Sequence, residues 1–122
     1  MSDHMTHVHI LESCLGTPER LDTLVGYAED SVVSKTILDK HAGTITLFAF
    51  DKGQKLTEHT SPHDAVVQVV DGRAQLTIGG VSREVAAGQV IIMPAHVPHA
   101  VDAHERFKML LIMIRAEAHE PK

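Results

Sequence analysis

The chain is predicted to fold as an all-β protein, an antiparallel sandwich or barrel preceded by one short helix. Three observations predict this. Short segments rich in β-branched and apolar residues recur closely from residue 31 onward. Turn signals separate them, at Asp51-Lys52-Gly53, Asp71-Gly72, Gly79-Gly80, Ala87-Gly88 and Pro94. Only Thr17–Val25 carries a convincing helix signal. With 122 residues the chain fits one domain on the usual scale of roughly 100–200 residues. A chain of this length buries enough surface for its own core. Hydrophobic residues make up 43% and charged residues 22%, an ordinary balance for a folded domain.

In chain order, residues 1–30 are expected to form a tail and a short helix, and residues 31–122 a single barrel domain. The tail carries His4, His7 and His9. With Met1 removed, Ser2-Asp3-His4 would place a histidine third from a free amine, an arrangement able to chelate Cu(II) or Ni(II). In Thr17–Val25, Thr17 is placed to cap the helix, Pro18 suits its first position and Gly26 its stop. The expected strands are Ser31–Leu38, Thr44–Phe50, Ala65–Val70, Ala74–Ile78, Val81–Val85, Val90–Met93, Ala100–Val101 and Lys108–Arg115. Asp71-Gly72 and Gly79-Gly80 read as hairpin turns. The last strand, Lys108-Met109-Leu110-Leu111-Ile112-Met113-Ile114, is apolar on both faces, whereas a strand with one wet face alternates. Either it lies centrally beneath the N-terminal segment, or it lines a homodimer interface. The homodimer is the reading preferred.

Charge and composition exclude several classes. A net charge of −5, from 16 acidic and 11 basic residues, lacks the basic footprint of non-specific nucleic-acid binding. Aromatic residues at 3% offer no stacking platform for bases. No apolar run approaches the roughly 20 residues of a membrane span, and no signal peptide is visible, so a cytoplasmic location is the default. The single cysteine, Cys14, rules out an internal disulfide framework and reads as a structural thiol.

Ten histidines are far more than such a domain needs. Four fall in two tight groups, His59 and His63 in one, His96 and His99 in the other. Imidazole suits Zn, Cu, Fe and Ni. On one strand His59, Ser61, His63 and Ala65 share parity, so all could face a barrel interior. Glu58 and Asp64 have the opposite parity; Asp64 is placed to orient a histidine as an outer acceptor.

These residues resemble the cupin superfamily, in particular its small single-domain bacterial members. The first cupin motif begins with a glycine, five residues and a histidine, as in Gly53 to His59, and closes on a glycine matched by Gly72. The second motif is matched by Gly88, Pro94 and His99. The resemblance covers roughly residues 31–115 and implies a double-stranded β-helix, or jelly roll. It also implies a metal held by two histidines and a glutamate of the first motif with the histidine of the second. His59 and His99 match two of these. The other two positions hold Ser61 and Ala65, and His96 replaces the glycine of the second motif. New histidines appear near the lost ligands. The candidate metal site is therefore His59, His63 and His99, with His96, holding a divalent ion (Zn, Fe, Ni or Mn).

Such a site has only neutral ligands and leaves the ion its full charge, which favours a small anionic substrate or ligand. The expected pocket wall is aliphatic: Val67, Val69, Leu76, Ile92 and Leu110, with Phe48 and Phe50 closing one side. The alternatives are a metal-free barrel that binds a small ligand, and a structural homodimer without activity. Fold alone does not choose among them.

Overall fold

The structure is a computed structural model and describes residues 8–116. His4, His7 and the Ser2-Asp3-His4 terminus, able to chelate only if Met1 is removed, lie outside the described residues. Among those described, nine strands form two sheets that share one long strand. They are β1 (His9–Ile10), β2 (Val32–Lys40), β3 (Gly43–Phe50), β4 (Lys55–His59) and β5 (Asp64–Ile78), followed by β6 (Val81–Ala86), β7 (Val90–Met93), β8 (His99–Asp102) and β9 (Phe107–Ile114). All pairings are antiparallel. The first sheet runs β1-β2-β3-β9-β5-β7 and the second β4-β8-β5-β6.

Strand β5 joins the two. Its first part, Asp64 to Gly72, pairs with β9; its second, Arg73 to Ile78, pairs with β6 and in part with β8. Asp71-Gly72 is therefore not the hairpin expected. The chain turns a corner between sheets there, with a register shift between Val69 and Asp71 and Gly72 at φ +72. A Cβ at Gly72 would meet the Arg106 carbonyl oxygen at 2.3 Å, so this corner needs glycine twice over. Gly79-Gly80 is the hairpin expected: both residues have positive φ, and β5 and β6 pair up to Ile78 and Val81.

The inward residues of both sheets form the core. Phe50, Val67, Val69, Leu76 and Phe107 are fully buried, and Phe50 stacks on Phe107 with ring centroids 4.7 Å apart. Phe48 joins Phe50 on the same face at 6.2 Å. Of the expected pocket wall, Val67, Val69 and Leu76 lie inside this packed core. Ile92 does not: it points outward from β7 and is 61% exposed. Leu110 also faces outward, into a second apolar cluster. The cause is the pleat, which sends alternate residues of one strand to opposite sides.

That second cluster explains the doubly apolar last strand. β9 is central in its sheet, between β3 and β5. Phe107 and Met109 face the core; Leu110 and Ile112 face outward and pack with Val25, Leu21, Leu24 and Tyr27. The N-terminal segment covers β9, so the chain itself accounts for the signal that suggested a dimer contact. Tyr27 clasps this segment in place. Its hydroxyl donates to Asp71 Oδ2 at 2.5 Å, and its ring lies under Arg106 and Lys108. Burial, and then the Asp71 carboxylate, push the Tyr27 phenol up and keep it neutral. The buried Lys108 donates through Nζ to the Asp22 carbonyl.

The helix is shorter than expected. It is one turn, α1 (Leu21–Leu24), begun by Arg20 and not by Thr17, whose hydroxyl instead donates to the Leu15 carbonyl. So short a helix has little stability of its own, and packing decides its extent. Val25 leaves it with extended backbone to bury its side chain on the sheet. No helix among the described residues is long and apolar enough to cross a membrane.

Candidate functional site

His59 closes β4 and His99 opens β8, and the two pair across the second sheet at its outer ladder. The register explains how they meet. Lys55 and Leu56 pair with Asp102 and Val101, but the next pair is His59 with His99. One extra residue on β4 makes a bulge. Without it Glu58 would stand opposite His99; with it the imidazole takes that place and Glu58 remains exposed.

Each ring is then fixed by the carbonyl two residues before it. His59 Nδ1 lies 2.8 Å from the Thr57 oxygen, and His99 Nδ1 lies 3.2 Å from the Val97 oxygen. A carbonyl only accepts, so both Nδ1 atoms carry the proton and donate. In the neutral rings both Nε2 atoms then carry a lone pair, and the two atoms face each other at 3.1 Å with the rings at 70°. Two lone pairs so placed repel unless a proton or a cation stands between them. Nitrogens at about 2.0–2.1 Å from one ion lie roughly 2.9–3.4 Å apart for right-angled to tetrahedral arrangements. The pair fits two positions of a metal. His99 is 7% exposed, whereas His59 opens to solvent.

The other two candidate histidines are placed differently. His63 lies in the corner between β4 and β5, where its Nδ1 accepts the Ala116 N–H at 2.9 Å. The shared parity with His59 does not carry across, because residues 60–63 form a corner and not a continuation of the strand. His96 is exposed in the turn between β7 and β8, at φ +68. Its backbone N–H donates to the Ser61 carbonyl at 2.7 Å. The left-handed backbone gives the physical reason for a glycine at this place in the cupin pattern. Ala65 is buried beside this end of the core, and Ser61 Oγ accepts the His63 N–H at 3.1 Å. Among the described residues, no three His, Cys, Asp or Glu side chains converge as a metal cluster. Asp64, expected to orient a histidine ring, accepts the Ala95 N–H at 2.7 Å instead. Sequence parity pointed that carboxylate away from the interior, but not at the neighbouring turn.

A two-sheet antiparallel barrel with a histidine pair between β4 and β8 defines the class: a small jelly-roll domain with a polar site at one end. The chain belongs to the cupin domain family, whose sequence profile matches residues 46–115. It is similar over nearly its whole length to a crystal structure of a conserved protein of unknown function from Streptococcus pyogenes. The two are 37% identical, with a TM-score of 0.83, over 94% of this chain and 99% of that one. A cupin 2 conserved barrel domain protein from Leptotrichia buccalis is 38% identical, with a TM-score of 0.74, over 77% of this chain and 46% of that one. An uncharacterized protein of Streptomyces coelicolor is 41% identical over 58 residues, or 46% of this chain. The match spans about half, 53%, of that curated relative.

Proposed function

We propose that this cupin holds a divalent metal ion between His59 and His99 and binds, or acts on, a small anionic molecule there. One observation carries the reading: two Nε2 atoms, each on a ring whose Nδ1 meets a backbone carbonyl on its far side, face each other at 3.1 Å. Nδ1–H to carbonyl is the usual outer support of a metal-ligating histidine. Both ligands are neutral, so the ion keeps its charge and attracts an anion. Bound there, a metal supplies Lewis-acid polarisation of a ligand oxygen. The chain contributes the fixed tautomers and the bulge that aims His59. Met93 and Ala65, buried at this end, contribute an apolar floor. A second reading, a metal-free barrel that binds a small ligand, draws support from the lack of a third converging donor among the described residues.

The test is metal content of the full chain after anaerobic reconstitution with Fe(II), Mn(II), Ni(II) or Zn(II). His4, His7 and His9 are replaced by glutamine so that they do not contribute. Near-stoichiometric metal is expected, lost in both His59→Ala and His99→Ala. His59 is exposed, so its removal leaves the fold intact. No retained metal overturns the reading in favour of the metal-free one, and metal retained in both variants overturns it by placing the ion away from this pair.

A further inference from the structure

The two histidines belong to different loops as much as to different strands. His59 leads into the corner 60–63 and then β5; the turn 94–98 leads out of β7 into His99. The β4–β8 ladder pairs them, and as the last pair of that ladder their separation also depends on how this corner and this turn sit against each other. Two hydrogen bonds join them: the His96 N–H to the Ser61 carbonyl and the Ala95 N–H to Asp64 Oδ1, both at 2.7 Å. The first is main chain on both sides, so truncating a side chain does not delete it. The second depends on one side chain.

The turn has reason to need a brace. His96 sits in the left-handed region, which a residue with a Cβ adopts only at a cost. The Ala95 amide beside it is at the same turn, before the β8 ladder begins at His99. Asp64 starts β5, pairs with Ile114 and precedes Ala65, which pairs with both Met93 and Met113. Its backbone is thus anchored in the sheet, and its carboxylate reaches out to hold the turn.

We propose that Asp64 is a positioning residue for the histidine pair, setting the Nε2 separation by tying the turn before His99 to the corner after His59. The proposal rests on the metal-binding reading above. It assigns Asp64 no contact with the ion: its role is as an acceptor, which asparagine can also fill through Oδ1.

The experiment uses the full chain with the three tail histidines replaced, titrated with Zn(II) against a chromophoric chelator. Asp64→Ala is expected to weaken Zn(II) binding about three- to tenfold, the worth of one hydrogen bond. Asp64→Asn is expected to stay within about twofold of the parent. Thermal unfolding of the metal-free variants checks that all are folded. Ring-proton and nitrogen NMR of the metal-free proteins is the readout that general loss of stability does not move. Asp64→Ala should shift the His99 ring signals, and Asp64→Asn should leave them in place. Parent-like affinity in Asp64→Ala overturns the proposal. So does an Asp64→Asn variant as weak as Asp64→Ala, which would make the charge or direct ligation the cause. If the parent binds no Zn(II), the metal reading fails, and the spectra decide alone: unmoved His99 signals in Asp64→Ala then overturn the positioning role.

Discussion

At one end of the barrel Phe50 and Phe107 stack, fully buried, while Gly72 lets the Arg106 backbone come close and Asp51 binds the Arg106 guanidinium at 3.1 Å. At the other end His59 and His99 face each other, one exposed and one buried, between two loops held by a pair of hydrogen bonds. The strands are the same; the finish differs. The aromatic end is closed by packing that leaves no room for change. The histidine end is closed by polar contacts and leaves two Nε2 atoms facing each other.

The sharpest way to break the comparison lies at the closed end. Gly72→Ala places a Cβ 2.3 Å from a backbone oxygen at a residue of φ +72. It should cost about 3 kcal/mol or more, or prevent accumulation of folded protein. Chemical denaturation measures this, and a loss under about 1 kcal/mol would show that the corner yields. At the open end, strain runs the other way. His96→Gly should raise stability by about 0.5–1 kcal/mol by relieving the left-handed backbone, with metal stoichiometry unchanged. Lost metal in this variant would return His96 to the ligand set.

The smallest expected effect is a pH dependence at the closed end. The Asp30 N–H, and then the Arg106 guanidinium, hold the Asp51 carboxyl below its ordinary value of 3.8. A carboxyl lowered by folding stabilises the protein above its unfolded value and loses that contribution as pH falls through the folded one. The Asp51→Asn variant should therefore lose less in Tm than the parent between pH 5 and pH 3. Equal losses would mean that neither the Asp30 N–H nor the Arg106 ion pair adds stability through this carboxylate.

Much of the barrel was legible because buried strands are short apolar, β-branched runs bounded by turn residues. β3, β7 and β9 are such runs, and the expected bounds match closely. β4 was not legible: Lys55-Leu56-Thr57-Glu58-His59 is exposed throughout and shows no alternation. Asp71-Gly72 misled because the residues that suit a hairpin also suit a corner, and only the pairing partners tell them apart. At the site, motif spacing singled out His59 and His99. The bulge that brings them together depends on the β4–β8 register, which residue types do not reveal. His63 and His96 were drawn in by nearness along the chain. Ring direction took His63 to the Ala116 amide, and backbone conformation set the place of His96.

Among the described residues β4 pairs with β8 alone, at the margin of its sheet, and its side chains are exposed. Such a strand frays before anything behind it opens. His59 rides on this loose margin, whereas His99 sits on β8, which β5 backs from the other side. Anything that bridges the two rings works as a stitch, fastening the hem of the second sheet to its weave. Ligand occupancy and the order of β4 are then one equilibrium, in which whatever holds the strand down also makes the site.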